Sequence, residues 1–155
     1  AITSNAVRGY GNEDCAAVLL QFENGALGTL TGSDAVAAPW SWELDSGENP
    51  VYPRQSDQPC YLLAGTGGAL SIPQLKRWHY AEDGAGWHQP LLVEQEAFKP
   101  DEALRLQLEH FVRVIRREVA PLVSAADAAR TLALIEAIRE AAATGRACAP
   151  APIDA

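Results

Sequence analysis

The hydrophobic period of the chain changes once, close to residue 100, and that switch limits the possible folds more than any single motif does. Upstream of it side chains alternate as on a pleated strand; downstream, apolar residues recur at helical spacing. Residues 14–22 (DCAAVLLQF) are apolar on both sides, with Ala16, Val18, Leu20 and Phe22 on one and Cys15, Ala17 and Leu19 on the other. Asn24-Gly25 follows as a hairpin turn, and residues 26–33 return, placing Gly28 and Gly32 on one face where another backbone, a helix or a ligand can approach. Residues 40–45 (WSWELD) alternate too and predict a strand. The next stretch, 46–59, is dense in turn residues and predicts a long ordered loop of the kind that carries function. Residues 75–80 and 91–98 are shorter strands on either side of a turn at 82–86.

Past the switch, Leu104, Leu108, Phe111, Val112, Ile115 and Val119 form one apolar stripe, so the spacing predicts a helix over 101–119. Asp101 is placed to cap it, Glu109 to pair with Arg113, and Pro121 to end it. Ser124 and Asp127 then open a second helix that Gly145 closes. Strands first and helices last describe an α+β fold: one domain over 1–155 with an open, mostly antiparallel β-sheet and two C-terminal helices packed on one face. The strand-rich part is 1–98, the helix pair 101–144, and the tail 145–155. Strands apolar on both faces need both covered, and two helices cover one. Self-association through the other sheet face, or docking of a further domain, would cover the rest.

Residues 61–73 (YLLAGTGGALSIP) carry the glycines that a scan for phosphate loops would stop at. A dinucleotide loop must run from a strand into a helix, whose N-terminal N–H groups face the phosphates. Here strand-like residues stand on both sides, Leu70 occupies the third glycine position, and no Lys-Ser/Thr follows. The stretch therefore predicts a β-hairpin with a glycine turn.

A net charge of −8 argues against nucleic-acid or anionic-membrane partners, which need basic patches. No apolar run reaches bilayer length and the first residues lack a basic, apolar leader, so the expected compartment is the cytoplasm. Cys15, Cys60 and Cys148 are scattered, without the spacing of a zinc site, and no metal is expected.

Nucleophile-elbow, zincin and Walker patterns are absent. The best pocket-like grouping is Trp40 and Trp42 followed by Asn49, Tyr52 and Arg54: aromatic walls with polar hydrogen-bonding groups suit a sugar or polyol. His79, between Trp78 and Tyr80, is a further candidate for substrate contact. Glu43/Asp45 and Glu94/Glu96 are carboxylate pairs at strand spacing, which more often form a solvated face than an acid–base pair. His110 falls on the polar side of its helix.

In order, EDCAAVLLQFENGALGTLTGS, YLLAGTGGALSIP, LEHFVRVIR and PLVSAADAARTLALIEAIREAAATGR resemble the C-terminal domain of the Gfo/Idh/MocA oxidoreductases (glucose–fructose oxidoreductase and inositol dehydrogenase), over about residues 13–146. The resemblance implies a parent enzyme whose separate N-terminal Rossmann domain binds NAD or NADP. Such an enzyme oxidises or reduces a sugar, cyclitol or similar polyol. The C-terminal sheet then carries part of the substrate pocket and the subunit interface. The family's Glu-Lys-Pro lysine has no counterpart here, since Phe98-Lys99-Pro100 lacks the glutamate, and its Asp…His pair is expected upstream of Ala1. No catalytic or cofactor-binding residue is assigned to this chain, which is expected to be inactive alone. The competing expectation is a stand-alone, non-catalytic interaction or sugar-sensing module of the same fold; a third is a small hydrolase using Glu43/Asp45 or His79.

Overall fold

A computed structural model describes residues 1–54, 58–82, 86–97, 99 and 101–153 of the chain. In chain order the elements are β1 (Ile2–Ser4), β2 (Cys15–Gln21), β3 (Leu27–Ser33), α1 (Trp42–Asp45), β4 (Tyr61–Gly65), β5 (Gly68–Ile72), β6 (Lys76–His79), β7 (Leu92–Gln95), α2 (Ala103–Ile115) and α3 (Ala125–Thr144). The architecture is α+β, antiparallel strands first and long helices last, as the periodicity predicts. The strands divide into two sheets, β1-β2-β3 and β4-β5-β6-β7, where the sequence suggested one. The chain clusters into two compact units, residues 1–37 with 120–155, and residues 38–119.

In the first unit, β2 pairs antiparallel with β3 so that Val18 faces Leu30, and with β1 so that Ala17 faces Ile2. One sheet face carries Ala16, Val18 and Leu20, and Val18 is buried together with Ala137 and Ala141 of α3. The opposite face leaves Ile2, Leu19 and Leu27 from 76% to 81% exposed. Above Gly28 the space expected from the sequence is filled by the side chains of Phe22 and Leu20; Gly32 has open space over it. Ahead of β2, the carboxylate of buried Asp14 accepts the backbone N–H groups of Val7 and Arg8 at 3.1 and 2.8 Å. The loop before β2 is thereby tied to the strand that follows it, and these hydrogen bonds, Arg8's first, hold the Asp14 carboxyl below its ordinary range.

Helix α3 begins with a capping box: Ser124 Oγ accepts the Asp127 N–H at 3.1 Å, and an Asp127 carboxylate oxygen accepts the Ser124 N–H at 3.0 Å. It ends on Gly145 in the left-handed region, whose N–H returns to the Ala141 carbonyl.

In the second unit, residues 61–72 form the predicted hairpin, with Gly65 opposite Gly68, and β6 and β7 extend the sheet. Residues 40–45 differ from the expectation: Ser41 is the N-cap of the short helix α1, and the Leu44 and Asp45 N–H groups return to its carbonyl at 3.1 and 3.0 Å. A serine followed by two acids is a helix-start pattern, and it overrides the apolar alternation. Helix α2 is shorter than predicted at both ends. Glu102 is the N-cap, and Asp101 accepts the Glu102 N–H instead of capping the helix. Glu109 pairs back to Arg105 at 2.6 Å, and Arg113 lies 3.6 Å from Glu118. The helix stops at Ile115 because Arg117 adopts φ 61°; its N–H bonds the Val114 carbonyl and that of Glu118 the Arg113 carbonyl. This is a Schellman termination with arginine where glycine is usual. The turn expected at 82–86, the loop expected at 46–59 and the Phe98-Lys99-Pro100 stretch each extend in part outside the described residues.

Candidate functional site

Helix α1 and the turn after it build a concavity of the second unit, a cavity of about 280 Å³. Trp42, Glu43, Ser46, Glu48 and Asn49 line one side; Glu102 and Leu104, at the start of α2, line another. Its size lies at the lower end of the small-molecule range.

Each wall residue is held by a local cause. The indole Nε1–H of Trp42 donates to Glu48 Oε2 at 3.0 Å, and the ring stands 6.0 Å from that of Tyr61 at a tilt of 56°. Both contacts fix the orientation of the indole, the second in the tilted geometry aromatic pairs favour. Ser46 is 2% exposed, and its hydroxyl accepts the Glu48 N–H, folding the chain back after α1. Asn49 Oδ1 accepts the Val51 N–H at 3.1 Å, an Asx turn that leaves the Asn49 amide Nδ2 without a protein partner among the described residues. The Glu43 carboxylate accepts the Ser41 hydroxyl at 2.8 Å. One aromatic face, an amide donor and several carboxylate acceptors converge here, a set that can hold a hydroxyl-rich ring of carbon-size comparable to one sugar. None of the lining residues is a lysine, histidine or cysteine.

Behind this wall, Asp45 is 1% exposed and accepts the Cys60 thiol at 3.5 Å, while its Oδ1 has no partner among the described residues. Burial first, then that hydrogen bond, pushes the Cys60 thiol up to about 11. Asp45 is thus on the inner side of α1 and does not share a solvated strand face with Glu43, so an acid–base pair of the two is not assembled.

The structure brings Trp42 and Asn49 together in one cavity. Trp40, 65% exposed, and Tyr52, 46% exposed, do not line it, and neither does His79. Arg54 packs its guanidinium over Gly47, where φ is 69°. His79 Nδ1 is 2.8 Å from the Tyr80 carbonyl, and Nε2 lies 3.3 Å from Glu94 Oε1, poorly aligned for a hydrogen bond. Both ring nitrogens therefore face protein acceptors. Glu94 is also bonded by Arg77 directly opposite on β6, and this pairing, ahead of His79, holds its carboxyl below the ordinary range.

Six lining residues were not among the site candidates read from the sequence: Ser46, Glu48, Pro50, Glu102, Ala103 and Leu104, the last read only as part of the α2 apolar stripe. Glu102 and Leu104 come from a helix start more than fifty positions downstream, which no local pattern connects to Trp42. Glu48 was findable, since Ser46-Gly47-Glu48-Asn49 is a turn sequence directly after the aromatic pair.

The glycine turn does not fit a dinucleotide. Residues 65–68 join two antiparallel strands and do not lead into a helix, and a side chain at Gly68 would meet the Trp78 carbonyl. Among the described residues no group of three or more His, Cys, Asp or Glu side chains is placed to hold a metal ion, and no helix is long and apolar enough to cross a membrane.

A family model described as the oxidoreductase family, C-terminal alpha/beta domain, matches residues 2–152. Neither a curated protein nor a solved structure matches the chain. The residue patterns, the antiparallel sheets followed by helices and this near full-length match agree, and the chain belongs to the Gfo/Idh/MocA oxidoreductase family as its C-terminal α/β domain.

Proposed function

We propose that this domain binds the substrate of an NAD(P)-dependent dehydrogenase acting on a sugar, cyclitol or similar polyol, and that the cavity beside α1 is the part of it that touches the substrate. The observation that carries the reading is the fixed indole of Trp42 beside the unpartnered amide of Asn49 in one small cavity. The indole face takes the C–H side of a ring and the amide and carboxylates take its hydroxyls. Nicotinamide nucleotide and the proton-transfer lysine would be supplied by a Rossmann domain, since the glycine turn joins two strands and does not lead into a helix. On this reading the chain alone binds polyol but does not turn it over. It also self-associates through the β1-β2-β3 face on which Ile2, Leu19 and Leu27 are exposed.

The test is a titration of the full chain with myo-inositol and with glucose, followed by the Trp42 indole N–H resonance. A saturable shift that Asn49→Ala weakens at least several-fold supports the site. No shift at Trp42 with either compound, or a shift equally strong in Asn49→Ala, sinks it.

A further inference from the structure

The charge of the cavity narrows what it can hold. Its lining contains the carboxylates of Glu43, Glu48 and Glu102 and no cationic side chain. Several positive groups must be set against them, among them Lys99, whose charge acts on Asp101 just ahead of α2. The start of α2 presents about half a positive charge from its free N–H groups. Arg105 stands 3.7 Å from Glu102, but the same guanidinium also serves Asp101 at 2.7 Å and Glu109 at 2.6 Å, so it is more than neutralised by its own helix. Arg54 packs on Gly47 and does not line the cavity. Among the described residues neither Glu43 nor Glu48 has a cationic partner: their hydrogen bonds come from the Ser41 hydroxyl and the Trp42 indole. The excess is therefore negative, beside an indole whose N–H edge is taken by Glu48 and whose face attracts cations.

A second group reports the same field from behind the wall. Cys60, whose thiol is raised mainly by burial, is raised further by the negative charges of Asp45 and Glu43.

We infer that the ligand of this cavity carries a protonated amine beside its hydroxyls, an amino-sugar or amino-cyclitol, and that phosphorylated or carboxylated polyols are excluded. This rests on the cavity being the polyol site proposed above. The ammonium group would sit among the Glu43, Glu48 and Trp42 side chains that line the cavity, where it satisfies two carboxylates that have no cationic partner among the described residues. An acid at that place would bring a fourth negative charge beside three carboxylates, a repulsion that would cost it affinity at low ionic strength.

The experiment compares three probes of nearly equal size on the full chain by calorimetry or the Trp42 resonance: glucosamine, glucose and glucuronate, at one low ionic strength. Glucosamine should bind roughly tenfold tighter than glucose, a ratio that one charge-assisted contact supplies, and glucuronate weakest of all. The glucosamine preference should shrink in Glu43→Gln and in Glu48→Gln, each of which keeps the side-chain shape and an acceptor oxygen. Equal affinities for glucosamine and glucose, a preference for glucuronate, or a glucosamine preference unchanged in both variants would overturn the inference and leave the polyol reading standing. Failure of all three probes to bind would overturn that reading, and the charge preference with it.

Discussion

The carbonyl oxygen of Trp78 occupies the place where a side chain at residue 68 would begin: a Cβ built on Gly68 would lie 2.4 Å from it. Gly68 also sits at φ 149°, a conformation that side chains other than glycine rarely adopt. Gly68→Ala is therefore expected to push β6 away from β5 and to destabilise the chain by about 2 kcal/mol or more, the scale of overpacking plus backbone strain. Chemical denaturation checks this. The same change at Gly67, where a Cβ would meet nothing within 4 Å, should cost much less.

Arg117 ends α2 in a left-handed conformation at φ 61°. Glycine adopts that conformation without the side-chain clash, so Arg117→Gly should stabilise the chain by about 1 kcal/mol, a rise in midpoint without a change in denaturant slope. A loss of stability would mean that the arginine side chain makes a contribution larger than its backbone strain.

Ser124 closes the capping box of α3, and Ser124→Ala should cost about 1 kcal/mol. Ser124→Asp keeps an acceptor for the Asp127 N–H but sets two carboxylates side by side. It should recover less than the full amount in low salt and more in high salt.

Cys60 is held as a thiol by burial and by donation to Asp45, with its pKa pushed up to about 11. A disulfide reagent near neutral pH should modify it more slowly than an ordinary thiol, and Asp45→Asn should speed the reaction. Because the folded value lies above the ordinary 9.0, the stability from the protonated thiol is complete below about pH 9 and is lost as pH rises toward 11. Cys60→Ser should flatten that alkaline loss in a denaturation series from pH 8 to 11.

At the other end of the scale, Asp14, Glu94, Asp101 and Asp127 are all held below their ordinary carboxylate values, chiefly by hydrogen bonds from Arg8 N–H, Arg77, Glu102 N–H and Ser124 respectively. A carboxylate lowered in the folded state adds stability that is present above its unfolded pKa and lost as pH falls through the folded one. Stability should therefore fall on acidification below the usual carboxylate range, and Asp14→Asn should remove part of that acid dependence. An acid limb identical in the variant would mean that the Asp14 clasp is already open in solution.

What could be read from the sequence was what local chemistry decides. The Asn24-Gly25 and glycine hairpins, the Ser124 cap and the Gly145 stop each rest on residues within a turn of one another, and each lies where its pattern put it. Trp40–Asp45 misled because two tryptophans at alternate positions imitate a strand, while the acids after Ser41 favour a helical turn. Arg117 carried no signal at all: an arginine in a left-handed position is chosen by the tertiary fold against its own preference. Half of the candidate site was legible for the same reason. Trp42 and Asn49 share one stretch of chain, but their neighbours Glu102 and Leu104 reach the cavity only once α2 has been brought back to α1. His79 looked like a ligand from its aromatic neighbours, and only the β6–β7 register, which sets Glu94 opposite Arg77, showed that its ring is engaged by protein.

The division of the chain has a consequence for the order in which it is made. Residues 38–119 form a compact unit in one continuous run, whereas the unit around β1, β2 and β3 is completed by residues 120–155. On a ribosome the inner unit, with its cavity, can therefore assemble as soon as α2 has emerged. The β1-β2-β3 sheet must wait with Val18 uncovered until α3 follows, because its closing contacts are the most distant in the sequence and the last to be available. Within these residues the β2–β3 hairpin is thus the part most exposed to aggregation during synthesis, and the cavity beside α1 forms before the sheet whose sequence brackets it.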